Sequence, residues 1–168
     1  MFFTNYSSPI GNLYLVSDGI NLTNLIIKKQ LNILKNCQKL DNLQIFIETK
    51  NWLDNYFNKQ NLEFNKISLL PNGTNFQKIV WKTLYCIPIG KISTYGEVAK
   101  IVAKKLCKLK MSAQAIGNAV GHNPIPIIIP CHRVVGVNYN LVGYSEGLDI
   151  KIKLLEFEKV DLSKYLKK

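Results

Sequence analysis

Pro130, Cys131, His132 and Arg133 place a thiol, an imidazole and a guanidinium on consecutive residues behind a proline. Positive charge nearby and a base able to take the thiol proton both favour thiolate, so the expected chemistry is nucleophilic attack by the Cys131 sulfur. Adjacent side chains point apart in a strand, so a Cys131–His132 contact requires a turn or a bridging water. A third group must then orient the imidazole. Cys37, Cys86 and Cys107 lack such neighbours and read as small buried hydrophobes. The four cysteines form no Cys-x-x-Cys pair and have only His122 and His132 beside them, which suits neither a disulfide framework nor a zinc site. No metal is expected.

The segment Ile125 to Gly136 that carries the thiol contains Pro126 and Pro130, so a constrained turn is expected there rather than a central strand. Upstream, Thr94 and Glu97 have capping-box spacing for a helix over about Tyr95 to Lys105. Lys104, Lys105, Lys108 and Lys110 then lead to a second helix, capped by Ser112 and running to about Gly121. Ala113, Gly117 and Gly121 recur every four residues, with Ala115 and Ala119 as a second small row. Two helices joined by a basic turn, the second one thin, resemble a helix-turn-helix; the same spacing equally suits close helix packing in a core. Thr74 can cap an earlier helix that turns Phe76, Ile79, Val80 and Leu84 inward and stops before Pro88 and Gly90. A last amphipathic helix is expected from about Leu148 to Lys159, with Ile152, Leu155 and Phe157 on its apolar side.

The first third reads as strands over Met1–Tyr6, Asn12–Ser17 and Leu22–Lys28, separated by Ser8-Pro9 and Asp18-Gly19, in a small antiparallel sheet. Leu40, Leu43, Ile47, Leu53, Tyr56 and Phe57 give helical period from about Gln38 to Asn58. Pro71-Asn72-Gly73 marks a boundary, giving domains 1–72 and 73–168 in an α+β chain. A length of 168 residues allows one domain or two small ones, and 47% hydrophobic residues suffice for a core. Lys and Arg number 22 against 11 Asp and Glu, and residues 1–70 hold seven lysines and five acids, so most of the +11 net charge lies further on. That asymmetry fits either a polyanionic partner or a solvated surface. Arg133 is the one arginine, and the abundance of Asn, Ile and Lys reads as AT-rich coding, which discounts lysine number. Neither a targeting segment nor a membrane-spanning run is recognised, so the expected location is the reducing cytoplasm, without membrane contact.

PCHRVVG, Pro130 to Gly136, resembles the active-site signature of the O6-alkylguanine-DNA alkyltransferases, the methylated-DNA-protein-cysteine methyltransferases. Gly73 to Ala99, Gly117 to Gly136 and Gly143 to Glu158 are similar to that family's C-terminal domain in order and spacing, and Tyr6 to Leu22 to its N-terminal domain. The resemblance covers nearly the whole chain. It implies a small ribonuclease-H-like α/β domain followed by a mainly helical winged helix-turn-helix domain. It further implies a recognition helix in the DNA minor groove and a damaged guanine rotated out of the stack, since a stacked and paired base shields its O6-alkyl carbon.

The resemblance assigns Cys131 as nucleophile, His132 as base through a water, and Glu158 as the carboxylate orienting the imidazole. Tyr95 would supply a hydroxyl near the flipped base and the rotated phosphate, and Asn123 the hinge between recognition helix and active-site loop. Tyr144 and Ser145 would close over the base, with Ser145 toward O6, and the Cys131 and Val134 carbonyls would meet the guanine amine. Ala113, Gly117 and Gln114 would face the duplex. The family usually has arginine at the position of Gln114, where it fills the gap left by the flipped nucleotide; glutamine lacks that charge and planar surface. Arg133 is expected to support the loop, and His122 to follow the helix end.

The implied activity is irreversible, single-turnover repair. The alkyl group of O6-alkylguanine passes from double-stranded DNA to the sulfur of a monomer that needs no cofactor; the sequence leaves open whether O4-alkylthymine is a second substrate. A non-catalytic alkyltransferase-like damage-binding module is the alternative, but such proteins replace the cysteine that Cys131 provides. A winged-helix regulator or a small-substrate thiol hydrolase leaves the basic half and the Cys131, His132, Glu158 set unexplained together.

Overall fold

The computed structural model describes residues 1–28, 31–58 and 67–164. They form two compact units, Met1–Asn72 and Gly73–Lys168.

In the first unit, β1 (Phe2–Ser8) and β2 (Gly11–Ser17) form an antiparallel hairpin, and β3 (Leu22–Ile26) adds to β2. Alternation places Leu13 and Leu15 on the buried side, both fully enclosed. The sheet is not wholly antiparallel. A short β4 (Gln38–Lys39) pairs with β1 in parallel, giving the order β3-β2-β1-β4. The residues expected to open a long helix are therefore a strand, and α1 begins later, at Gln44–Phe57. Its buried face is Ile45, Phe46, Thr49, Trp52, Leu53, Tyr56 and Phe57, whereas Ile47, expected inward, is exposed. Placing Leu40 and Leu43 in the helical period set its phase wrongly, because both precede the helix.

The second unit is built around α2 (Asn75–Leu84), α3 (Tyr95–Lys105), α4 (Ala113–Gly121) and α5 (Leu148–Phe157). Thr74 and Gln77 form a reciprocal capping box at α2, and Thr94 and Glu97 form another at α3. The buried face of α2 is Val80, Trp81, Thr83 and Leu84; Phe76 and Ile79 are only half-buried. Trp81 is enclosed, and its indole N–H donates to the Ala119 carbonyl at 2.9 Å, fixing α4 against α2. Ser112 caps α4 by accepting from the Gln114 and Ala115 amides. A parallel pair of two-residue strands, β5 (Ser93–Thr94) and β6 (Val134–Val135), ties the start of α3 to the segment after Cys131. Val135, Leu141, Leu155 and Leu162 gather beneath it with Ile92, Ile152 and Val160. Among the described residues no helix is long and apolar enough to cross a membrane.

Candidate active site

Cys131 opens a single 3-10 turn, Cys131–Arg133, between two stretches of buried chain. Pro130 in front of it lacks an amide hydrogen and cannot extend a strand. The turn solves the directional problem that a strand would pose. His132 and Arg133 leave it toward the end of α5, while the Cys131 sulfur lines a cavity of about 250 Å³ with Tyr95, Gly117, Gly143, Tyr144 and Ser145.

Asn123 fixes the sulfur's surroundings. Its Nδ2 donates to the Ile129 carbonyl at 2.8 Å and to Cys131 Sγ at 3.1 Å, and its Oδ1 accepts from the Ile125 amide at 3.1 Å. One amide thus joins the chain leaving α4 to the turn that carries the thiol. Burial pushes the Cys131 thiol up, while hydrogen bonding from Asn123 and Tyr144 and the charge of Lys151 act the other way. The resting group is a thiol; the neighbours expected to favour thiolate do not outweigh loss of water.

His132 is fully buried, and its Nε2 lies 2.7 Å from Glu158 Oε1. Glu158 is the residue just beyond α5 and is itself buried, so it is not a solvated helix residue. Arg133 grips the same carboxylate, Nη2 donating to Oε1 and Nε to Oε2, both at 2.8 Å. The Gly90 amide adds a weaker bond to Oε2 at 3.3 Å. Burial alone would raise the Glu158 carboxyl, but His132 and Arg133 hold it at about 2. An anionic acceptor at this distance assigns the Nε2 proton to the imidazole, leaving Nδ1 as the basic nitrogen. Nδ1 is buried and without a hydrogen-bond partner among the described residues.

Lys151 was not legible as part of this region. It sits fully buried on α5, and its Nζ donates to the Val134 carbonyl at 2.6 Å and the Val142 carbonyl at 3.0 Å, clasping both ends of the loop between them. Burial lowers its ammonium to about 8, and ionisation of Cys131 acts in the opposite direction. The available signal was its register with Leu154 and Leu155, three and four residues on, which sets a lysine on the apolar face.

A family model of the 6-O-methylguanine DNA methyltransferase DNA-binding domain matches residues 75–160, and one of the ribonuclease-like domain matches residues 1–71. The methylated-DNA–protein-cysteine methyltransferase of Haemophilus influenzae is 38% identical, covering 95% of this chain and 87% of its own length. The chain belongs to this methyltransferase family. The Methanosarcina mazei member is 40% identical, covering 96% of this chain and 99% of its own. Among solved structures, Mycobacterium tuberculosis OGT in complex with DNA matches with a TM-score of 0.83 at 38% identity, over 98% of this chain and 95% of that one. The fold is thus the two-domain fold of this methyltransferase family, an N-terminal α/β domain followed by a helical DNA-binding domain.

The other sequence-assigned residues fall into two groups. Tyr95, Gly117, Tyr144 and Ser145 share the cavity with Cys131, and the Tyr95 hydroxyl donates to the Gly143 carbonyl at 3.4 Å. Gly143 holds φ +55, a left-handed turn that suits a residue without Cβ. Val134 is buried outside the cavity lining, with its carbonyl already held by Lys151. Ala113 and Gln114 are exposed at the start of α4. A Cβ at Gly121 would touch nothing within 4 Å, and one at Gly117 would rest on the Tyr95 ring at 3.7 Å. Both glycines line the cavity, Gly121 facing open space and Gly117 lying against Tyr95 of α3, while Ala119 of the second row is buried. His122 ends α4 and bonds the Asn118 carbonyl at 2.8 Å. The expectation that the remaining thiols are buried fails for all three: Cys86 and Cys107 are exposed, and Cys37 is half-buried. All three lie at or beyond helix ends, where the apolar periodicity of the core no longer applies.

Proposed function

We propose that the protein repairs alkylated DNA by transferring the alkyl group from O6 of guanine to Cys131, once per molecule. The observation that carries this reading is the placement of a buried thiol in a cavity wall, followed in the chain by an imidazole whose open nitrogen is backed by an anionic carboxylate. The cavity, about 250 Å³, falls below the ~300–1,000 Å³ common for drug-sized ligands and suits a single extruded base.

His132 Nδ1 takes the Cys131 proton, directly or through one water, as Glu158 steadies the imidazolium that forms. The thiolate attacks the alkyl carbon in line with the bond to O6. A C–S bond forms, the C–O6 bond breaks, and its electron pair goes to the guanine. The Tyr95 hydroxyl sits in the same cavity to deliver a proton to the departing base, and Tyr144 and Ser145 close over it. The product is a thioether, which thiol exchange does not reverse. The exposed start of α4, with Ala113 and Gln114, enters the minor groove, and the Gly117–Gly121 row lets the base pass toward the sulfur.

Mixing the protein with a duplex containing one O6-methylguanine tests this directly. Intact mass should rise by a single methyl, located on the Cys131 peptide and absent in Cys131→Ser. A duplex bound and released with its lesion intact rejects the transfer.

A further inference from the structure

Glu158 accepts from two buried donors of different kinds, and the reading of His132 as a base depends on how they divide its charge. A buried carboxylate 2.7 Å from an imidazole and bonded to nothing else would draw a proton onto it and form an ion pair. An imidazolium has no lone pair with which to accept the thiol proton. In this site the carboxylate already faces a permanent cation. Arg133 reaches both oxygens, its Nη1 also donates to the Ile87 carbonyl, and its side chain is almost completely buried. The guanidinium is thus locked between the turn that carries it, the end of α5 and the chain following α2.

We propose that Arg133 is a positioning residue of the transfer reaction: its fork on Glu158 presents the carboxylate to the His132 Nε2 proton while neutralising it, which keeps the imidazole uncharged and Nδ1 open to the thiol. Among the described residues, the other charged and titratable groups near the imidazole are Cys131 on the same turn and Lys151 from α5, with Tyr95 and Tyr144 beyond the sulfur. Burial, Arg133 and Lys151 all disfavour a charged His132, and only Glu158 favours it. Arg133 bonds both Glu158 oxygens, so it weakens the pull of the carboxylate on the imidazole proton. The proposal rests on the repair reading for the reaction, but the charge state of His132 is measurable without it.

Nitrogen-15 NMR of the imidazoles provides the test, with His122→Asn identifying the second histidine. In the native protein His132 should be neutral with its proton on Nε2 from pH 6 to 8. In Arg133→Gln its titration midpoint should rise by about two units or more, and single-turnover methyl transfer should fall about tenfold further at pH 6 than at pH 8. Arg133→Lys, which keeps the charge but not the fork, should retain the native midpoint at reduced thermal stability. A native His132 that is imidazolium at pH 7 overturns the proposal even if the glutamine variant does not fold. So does an Arg133→Gln protein with an unmoved midpoint and rates lowered equally at every pH, or an Arg133→Lys midpoint raised as in Arg133→Gln. A neutral His132 in a protein that never methylates Cys131 sinks the repair reading alone.

Discussion

Asn123 holds three groups at once: a sulfur, a carbonyl and an amide. Asn123→Ala leaves the Ile125 amide unsatisfied in buried chain, at ~1–3 kcal/mol, and takes one of two donors from the Ile129 carbonyl, which keeps the Cys131 amide at 2.8 Å. Denaturant unfolding should show a loss of roughly 1–3 kcal/mol, and Cys131 methylation should slow at least tenfold; a stable, fully active variant contradicts the hinge role. Glu158 gives a pH dependence of defined sign. Its carboxyl is held at about 2 in the folded chain against an ordinary value near 4.5, so its contribution is complete above about pH 4.5 and is lost as pH falls toward 2. Glu158→Gln should be less stable at pH 7, and the gap to the native chain should close on acidification; a gap independent of pH would remove the ionic account. Cys131 and His132 were legible as a pair because their types alone specify sulfur chemistry. Lys151 was hidden because a lysine in a helix ordinarily reads as solvated, and only its phase against Leu154 and Leu155 marks it as enclosed.

At the scale of elements, local signals with a short-range cause were the readable ones. The Thr94–Glu97 box, the Ser112 cap and the proline-bounded turn each depend on residues within a few positions, and each is present. The β4 strand was not readable, since two polar residues form it only by meeting β1 from a distance along the chain. The two uses left open for the small residues of α4 differ in tertiary partners, which spacing does not contain. The cavity and the vacant space at Gly121 distinguish them. Gln114 then carries the prediction for this element. It is exposed at the first turn of α4, where a guanidinium could stack in the duplex and an amide can only hydrogen-bond. In single-turnover repair of a duplex, Gln114→Arg should bind more tightly and react faster, with no change toward the free base O6-methylguanine. Equal duplex rates and affinities would show that insertion at this position does not limit repair.

Across the whole chain, charge is distributed more informatively than its total. No Asp or Glu occurs from residue 98 to 145, a stretch that includes the end of α3, all of α4 and the Cys131–Arg133 turn, yet it carries Lys100, Lys104, Lys105, Lys108, Lys110 and Arg133. Arg133 is buried against Glu158, and Lys105, though exposed, donates to the Thr83 hydroxyl at 2.9 Å. Lys104, Lys108 and Lys110 are exposed around the turn that leads into α4. An AT-rich coding bias explains many lysines but not the missing acids, so the polyanion reading gains over a merely solvated surface. If these lysines neutralise phosphates, each releases counterions, and the log–log salt slope of duplex binding should steepen by about 0.9 per contact. Replacing Lys108 and Lys110 with Gln should flatten the slope by roughly 2 and weaken binding to methylated and unmethylated duplexes by the same factor. Methylation of Cys131 by free base should stay at the native rate, because neither residue lines the cavity. An unchanged slope would place the phosphate contacts elsewhere on the second unit and return the lysine-rich turn to solvent.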